Sequence, residues 1–239
     1  MIRISTSGGK GGTGKTSIAC GLASVLASRG SRVLVVDLDP QSNAGFALGA
    51  DPRKDGGAAD LIAGRAIDPQ RINGIAVLVG GPGLLAPDIA RADPEELADK
   101  LEGLDGFDFV VVDTPPGAPS LERLGLVAAD VVLVVLDPHP FSLSGASRVV
   151  EDLDARKRKR RKGPKRWALV PSKIDRRRAA DREIAADLAT MFEDVPVFEV
   201  PQDSALASAT ADRVPLMTAA PHSRAAEALG VIADWIEKT

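Results

Sequence analysis

The chain has 239 residues and a formal net charge of −3, and its 44% hydrophobic and 26% charged residues are typical of a globular protein. The single cysteine, Cys20, excludes intrachain disulfides and cysteine-rich metal or iron–sulfur sites, and two histidines argue against a multi-histidine metal centre. No apolar run reaches the ~18 residues of a membrane span, and no signal-peptide layout is visible, so we expect a cytoplasmic protein.

Apolar segments alternate with helical patterns along the chain. Several of the strand segments are near-continuous Val, Leu and Ile, as expected for strands buried on both faces of a parallel sheet. The alternation predicts one domain over residues 1–239, a three-layer doubly wound α/β fold with a mostly parallel sheet of about seven to eight strands and helices on both faces. Residues 49–74 are expected to form short helices and loops at one edge. Strands are predicted at 2–7, 32–37, 75–80, 107–113, 131–137, 166–171 and 195–200, and helices at 15–29, 95–101, 143–160, 179–192 and 223–238.

A glycine-rich segment follows the first predicted strand and precedes a helix. Its sequence, Gly-Lys-Gly-Gly-Thr-Gly-Lys-Thr at residues 9–16, matches the phosphate-binding pattern G-x-x-x-x-G-K-[ST]. Glycines allow backbone N–H groups to surround phosphate oxygens, and the helix N-terminus adds a partial positive charge. Lys15 is expected to reach the β- and γ-phosphates, and the Thr16 hydroxyl to bind Mg²⁺. The predicted nucleotide-binding residues are Gly9, Lys10, Gly11, Gly12, Thr13, Gly14, Lys15, Thr16 and Ser17.

Two further strands end in acidic residues. Asp37 and Asp39 close the second predicted strand, and Asp113 closes the apolar run that begins at Phe109. Acids at the carboxyl ends of strands lie where open α/β sheets bind ligands. Asp113 is therefore predicted to hold Mg²⁺ directly or through water, as a Walker B acid, while Asp37 or Asp39 has the alternative of capping the next helix.

Lys10 goes beyond the general phosphate-loop pattern. The segment Lys-Gly-Gly-Thr-Gly-Lys-Thr resembles the deviant Walker A box of the ParA/MinD family of ATPases. Residues 37–41 and 113–116 resemble the family's switch I and switch II. The resemblance implies slow, Mg²⁺-dependent ATP hydrolysis, with Lys10 reaching the partner's phosphates across a nucleotide-sandwich homodimer. It also implies that Asp39 positions the attacking water and that Asp37 supports the Mg²⁺ shell.

The loops after the sixth and seventh predicted strands are expected to hold the adenine base, as in related ATPases. The segment Ser-Lys-Ile-Asp at residues 172–175 resembles the guanine-binding box Asn-Lys-x-Asp without its asparagine, which favours ATP over GTP. Proline and aspartate also occur in such loops for ordinary turn reasons. The predicted base-pocket residues are Pro171, Ser172, Lys173, Pro201, Gln202 and Asp203.

Positive charge is concentrated in one segment. Residues 156–178 hold 13 of the 30 Lys and Arg residues of the chain together with one acid, and such clusters create a local positive potential. The lack of interleaved aromatic residues favours duplex DNA phosphates over single strands, with RNA, anionic lipid or a solvated helix end as alternatives. The sequence does not decide whether residues 176–178 belong to this cluster or lie near the nucleotide. The predicted DNA-binding residues are Arg156, Lys157, Arg158, Lys159, Arg160, Arg161, Lys162, Lys165 and Arg166.

Taken together, the motifs resemble those of the short ParA type. This resemblance implies a cytoplasmic, nucleoid-associated ATPase that dimerises with ATP, binds DNA without sequence preference and positions a chromosome, plasmid or other cargo, with a ParB-like partner stimulating hydrolysis. The alternatives are a MinD-like membrane-associated regulator and a metabolic P-loop ligase or kinase. The acidic residues Glu227, Asp234 and Glu237 in the last predicted helix argue against a membrane partner.

Overall fold

A mostly parallel sheet organises the chain. The computed structural model describes residues 1–8, 10–53, 55–158 and 162–238, and within them seven strands form one sheet. The strands are β1 (Ile2–Ser7), β2 (Val33–Asp37), β3 (Gln70–Ile72), β4 (Ile75–Leu78), β5 (Phe109–Asp113), β6 (Val131–Leu136) and β7 (Arg166–Pro171). Their order in the sheet is β3-β4-β2-β5-β1-β6-β7, and neighbouring strands are parallel except for β3 and β4, which are antiparallel.

Helices cover both faces of this sheet. Alternate residues of one strand face opposite sides, so Val33 and Val35 pack with the helices at Lys15–Ser28 and Arg224–Glu237, while Leu34 and Val36 pack with those at Ala58–Ile62, Glu96–Glu102 and Pro119–Ala128. The three-layer arrangement predicted from the sequence is thereby confirmed. The helices are α1 (Lys15–Ser28), α2 (Asn43–Leu48), α3 (Ala58–Ile62), α4 (Pro87–Ala90), α5 (Glu96–Glu102), α6 (Pro119–Ala128), α7 (Pro140–Arg158), α8 (Ala179–Met191), α9 (Ser204–Ala211), α10 (Leu216–Ala219) and α11 (Arg224–Glu237), with a 3₁₀ turn at Pro82–Leu85.

The predicted strand at 195–200 is not a regular strand. This segment runs beside β7 and makes isolated parallel bridges, Leu169 with Val197 and Ile174 with Pro201. Pro196 and Pro201 lack the N–H group that a continuous ladder requires, which explains the interruption.

The edge strand β3 was not expected. It pairs with β4 through a two-residue turn at Asn73 and Gly74, whose φ angles of 46° and 84° are the left-handed values of a tight hairpin turn. Asn-Gly between two apolar segments is a recognisable hairpin signal, and it lies in the region where only short helices and loops were predicted. Within the described residues, no helix combines the length and the hydropathy needed to cross a membrane.

Candidate nucleotide site

The phosphate loop leaves the carboxyl end of β1 and leads into α1. Gly12 and Gly14 have φ angles of 78° and 92°, a conformation that side chains rarely adopt, and Gly14 caps the N-terminus of α1. These two glycines turn the loop so that the helix N-terminus faces the cavity above it, as anion binding requires. Gly9 belongs to the predicted loop but lies outside the described residues.

Lys15 is folded into the loop. Its Nζ donates hydrogen bonds to the carbonyl oxygens of Gly8 and Lys10 at 3.1 Å each. Burial lowers the pKa of the Lys15 ammonium, although the nearby Asp113 carboxylate opposes the shift. The Lys15 ammonium therefore already lies inside the loop that would surround the phosphates. Phosphate oxygens of a bound nucleotide would replace the two carbonyl oxygens as its hydrogen-bond partners.

Thr16 and Asp113 are joined by a hydrogen bond, in the arrangement that the Mg²⁺ site of a P-loop enzyme requires. Thr16 Oγ1 donates to Asp113 Oδ2 at 2.7 Å, and Thr6 Oγ1 donates to Asp113 Oδ1 at 3.1 Å. Burial raises the pKa of Asp113 to about 6, a shift that the two hydroxyl groups and Lys15 oppose. A divalent cation beside this buried carboxylate would offset the cost of its charge, so these residues fit Mg²⁺.

Mg²⁺ in such sites completes its shell with phosphate oxygens and water. In the described part of the chain no group of three His, Cys, Asp or Glu residues could hold a metal by itself. The donor set at Thr16 and Asp113 therefore suits a cation that arrives with the nucleotide.

Asp37 shapes switch I. Its carboxylate is fully buried at the end of β2, beside Asp113 on β5, and it accepts the backbone N–H groups of Asp39 and Gly45 at 2.9 Å each. Burial and the neighbouring Asp113 raise the pKa of Asp37 to about 7. Both oxygens of Asp37 are engaged by the backbone, so its contribution to the metal shell would be to hold the loop that carries Asp39.

Asp39 faces the nucleotide cavity. Its Oδ1 accepts the backbone N–H of Gln41 and its Oδ2 accepts from Asn43 Nδ2, each at 2.8 Å. The cavity of ≈ 490 Å³ that it lines also includes phosphate-loop residues from Gly12 to Ser17. Asp39 is thus oriented toward the place where phosphates would lie, as a residue that positions water should be.

Gly80 contributes to the geometry of switch I, although the sequence analysis did not identify it. A Cβ atom at Gly80 would lie 2.1 Å from the carbonyl oxygen of Asp39 and 3.1 Å from that of Asp37. The segment after β4 therefore approaches switch I so closely that only glycine fits. A lone glycine after an apolar strand gives no signal of this contact in the sequence.

Of the residues predicted to hold the base, all except Pro171, which is buried at the end of β7, line a cavity of ≈ 970 Å³ next to the phosphate loop. Ser172 Oγ donates to the carbonyl oxygen of Thr13, and Lys173 Nζ donates to that of Gly12, which joins the two loops. Asp203 accepts the N–H groups of Ala205 and Ala225, so it ties α9 to α11 at the cavity wall. The lining includes Gly14, Ser17, Ser172, Lys173, Pro201, Gln202 and Asp203, and also Arg176, Arg177 and Arg224.

The predicted DNA-binding residues do not belong to this site. Arg156 ion-pairs with Asp152, and the Arg166 guanidinium lies 4.2 Å from the Trp235 ring centroid. Lys162 ion-pairs with Asp99 on α5. The described members of the group lie at the amino ends of the strands, opposite the nucleotide cavity, whereas Lys159, Arg160 and Arg161 lie outside the described residues.

The chain is similar to known proteins along most of its length. Residues 1–163 match the AAA_31 family, described as an AAA domain. The chain is 30% identical over 238 residues to the chromosome-partitioning ATPase Soj of Thermus thermophilus, covering 98% of this chain and 94% of Soj.

Solved structures show the same fold. The cell division ATPase MinD of Pyrococcus furiosus superimposes with a TM-score of 0.79 at 28% identity, over 99% of this chain and 98% of MinD. Cobyrinic acid a,c-diamide synthase of Mycobacterium smegmatis, solved with an ATP analogue and magnesium, gives 0.80 at 25% identity over 100% and 95%. With the Lys10-bearing phosphate loop and the two acidic strand ends, these similarities show that the chain belongs to the ParA/MinD family of P-loop ATPases.

Proposed function

We propose that the protein is a Mg²⁺- and ATP-dependent dimerising switch that binds duplex DNA and positions a chromosome, plasmid or other cargo. A ParB-like partner would stimulate hydrolysis and so release the protein from DNA. The observation that carries the proposal is Lys10, an exposed lysine in the same loop as the buried Lys15. A second lysine in the loop that is not buried against the bound phosphates can reach phosphates held by a second subunit.

Different residues of this site would bind the phosphates, hold Mg²⁺ and position the attacking water. Lys15, the loop N–H groups and the α1 N-terminus would bind and neutralise the phosphates, while Thr16 and Asp113 would hold Mg²⁺, which neutralises developing charge when bound. Asp39 would orient the attacking water. Asp37 and Gly80 would keep the switch I backbone in place.

The test uses an Asp39→Ala protein, so that hydrolysis does not remove the state being measured. We expect an ATP-dependent dimer in light scattering and duplex DNA binding that weakens steeply as salt rises. Lys15→Ala should abolish ATP binding in calorimetry. A protein that binds ATP and dimerises, yet binds no DNA in any nucleotide state, would contradict the DNA-binding function.

A metabolic ligase or kinase is the second candidate, because the similarity to cobyrinic acid a,c-diamide synthase covers the whole chain. It predicts turnover that depends on a small acceptor molecule and is unaffected by DNA. The MinD-like alternative has less support. The apolar residues of α11, including Leu229, Ile232 and Ile236, are buried in the core and hence not available to a membrane surface.

A further inference from the structure

Helix α9 ends at a residue in an unusual backbone conformation. The N–H of Val214 donates to the carbonyl oxygen of Ala209, which turns the chain out of the helix through Arg213. Arg213 has a φ angle of 58°, a left-handed value at which glycine is the usual residue. The neighbouring helix α2 ends in the same kind of turn and does have glycine there, Gly49 with a φ angle of 90°. The chain thus places a long side chain at position 213, where the backbone favours none.

The Arg213 side chain contacts the end of α2. Its Nη2 donates to the carbonyl oxygen of Ala50 at 2.9 Å and to Asp51 Oδ1 at 3.2 Å. The guanidinium carbon lies 5.1 Å from the centroid of the Phe46 ring, within the range of a cation–π interaction. The two backbones also touch, because a Cβ atom at Gly49 would lie 2.7 Å from the carbonyl oxygen of Arg213. Arg213 therefore holds the C-terminal end of α2 through both its side chain and its backbone.

The other end of α2 holds switch I. Asn43 is the first residue of the helix, and its Nδ2 donates to Asp39 Oδ2 at 2.8 Å. The N–H of Gly45 donates to Asp37 Oδ2 at 2.9 Å. α2 has six residues and is about 9 Å long at 1.5 Å per residue, so it moves as one body. The position of its C-terminal end consequently affects the position of Asn43 and the orientation of the Asp39 carboxylate.

Helix α9 is a fixed support for this contact. Asp203 caps its N-terminus by accepting the N–H of Ala205 at 2.8 Å, and it also accepts the N–H of Ala225 on α11 at 2.9 Å. Asp203 and Leu206 line the cavity of ≈ 970 Å³. The start of α9 thus adjoins the cavity proposed for the base, and Arg213 at its end holds α2.

We propose that Arg213 is a positioning residue for ATP hydrolysis. It keeps α2 against α9, and thereby keeps Asn43 and Asp39 in the orientation that places the attacking water. Arg213 lines neither the phosphate cavity nor the base cavity, so it acts through these residues and not on the nucleotide. The inference rests on the function proposed above, in which Asp39 orients the water, and adds a residue on which that orientation depends.

The first test uses Arg213→Gly. Glycine is favoured at this left-handed position, so the variant should fold, which cooperative urea unfolding checks. At saturating ATP and Mg²⁺, the hydrolysis rate per subunit should fall at least about tenfold, because small displacements of a reacting group lower rates strongly. The dissociation constant for ATP in calorimetry should change less than about twofold. The rates are compared at protein concentrations where doubling the protein leaves the rate per subunit unchanged.

Two matched variants accompany this test. Arg213→Lys keeps a cation that can lie over the Phe46 ring, so it should hydrolyse ATP at least about threefold faster than Arg213→Gly. Asn73→Gly relaxes another left-handed residue, with a φ angle of 46°, in the hairpin before β4, and should leave the rate unchanged. A rate for Arg213→Gly within about twofold of the unmodified protein would overturn the proposal. An equal loss in Arg213→Lys or in Asn73→Gly would overturn it as well.

Hydrogen–deuterium exchange gives a readout that does not depend on hydrolysis. In Arg213→Gly, the amide groups of α2 at residues 43–50 should exchange at least about fivefold faster than in the unmodified protein. Those of α9 at residues 204–211 should exchange at the same rate in both proteins, because glycine preserves the end of that helix. Unchanged exchange in α2 would show that Arg213 does not hold this helix, contrary to the proposal.

The Asp39→Ala variant separates this inference from the proposed function. Hydrolysis at full rate in Asp39→Ala would overturn the role of Asp39 and, with it, the route from Arg213. Loss of hydrolysis in Asp39→Ala together with a full rate in Arg213→Gly would overturn the role of Arg213 alone. Loss in both variants with ATP binding retained supports both proposals.

Discussion

Lys10 and Asp137 form a salt bridge within one subunit. Lys10 Nζ lies 2.9 Å from Asp137 Oδ2, and the two side chains are 65% and 25% exposed. Asp137 follows β6 and also accepts a hydrogen bond from Ser142 Oγ at 2.6 Å, which fixes its carboxylate between the phosphate loop and α7. The lysine that we propose to cross a dimer interface must therefore first leave a carboxylate of its own subunit.

This contact predicts that Asp137→Asn favours the dimer. An exposed ion pair contributes up to about 1 kcal/mol, and one breaks in each subunit, so the dimer dissociation constant with ATP should fall by up to about thirtyfold. Sedimentation equilibrium of the Asp39→Ala protein with and without Asp137→Asn measures it. Asp105→Asn, which removes an exposed carboxylate elsewhere, is the control and should have no effect. A weaker dimer would show that Asp137 itself supports the interface.

The buried pair Asp37 and Asp113 predicts an unusual pH dependence. Burial raises their pKa values to about 7 and about 6, from 3.8 for an ordinary aspartate. The folded state thus binds protons more tightly than the unfolded chain, and stability is lost as pH rises from about 4 through 7. Without nucleotide and Mg²⁺, the protein should be more stable at about pH 5 than at about pH 8.

The Asp37→Asn variant isolates this effect. It removes the residue with the larger shift, so the fall in unfolding free energy between about pH 5 and pH 8 should shrink by on the order of 1–3 kcal/mol. Urea unfolding at the two pH values measures it. Asp108 and Asp175 have pKa values lowered to about 2 by neighbouring arginines, and therefore act below this window. Identical pH profiles for both proteins would refute the assignment.

The close contact between Gly80 and the switch I backbone predicts that a substitution at position 80 lowers the rate of ATP hydrolysis. Gly80→Ala places a methyl group against the carbonyl oxygen of Asp39, so switch I must shift. We expect a loss of about 1–3 kcal/mol in stability and a larger proportional loss of ATP hydrolysis than of ATP binding. Gly103→Ala is the control, because its Cβ would meet its nearest atom at 3.6 Å. Hydrolysis that survives Gly80→Ala intact would show that switch I has room to move.

The parts of the site that could be predicted are those that local sequence determines. The phosphate loop at residues 9–16 and the acid that ends the β5 run are contiguous patterns next to apolar strands, so their place at the carboxyl edge follows from the strand–loop–helix order. The Asn73-Gly74 pair is also a local hairpin signal in the sequence, although the edge strand β3 beside it was not predicted.

Contacts between distant segments could not be predicted. Ser172 meets Thr13, and Asp137 meets Lys10, because particular crossovers bring loops of β6 and β7 beside the phosphate loop. The spacing of residues along the chain does not indicate that these pairs are in contact. The position of the described residues 156–158 and 162–166 at the amino ends of the strands, in contrast, follows from element order alone, since they lie between the end of a crossover helix and the start of the next parallel strand.

Asp99 restrains Lys162, one of the predicted DNA-binding residues. Lys162 Nζ ion-pairs with Asp99 and lies 4.0 Å from Glu95, and the hydrogen bond to Asp99 raises the pKa of Lys162. The carboxylates beside α5 thereby occupy a cation that would otherwise bind phosphate. Asp99→Asn should free it, raise the affinity for a short duplex about two- to fivefold and steepen the salt slope by up to about one.

The control for this prediction is Asp88→Asn, which makes the same charge change at an exposed position of α4. Fluorescence anisotropy across a salt series compares the two variants with the unmodified protein. Because a change of net charge alone acts equally in both, only the excess effect of Asp99→Asn measures the release of Lys162. Equal gains in affinity would mean that Lys162 stays on Glu95 or does not reach the DNA, and a Lys162→Ala protein that binds the duplex as tightly as Asp99→Asn would contradict the restraint directly.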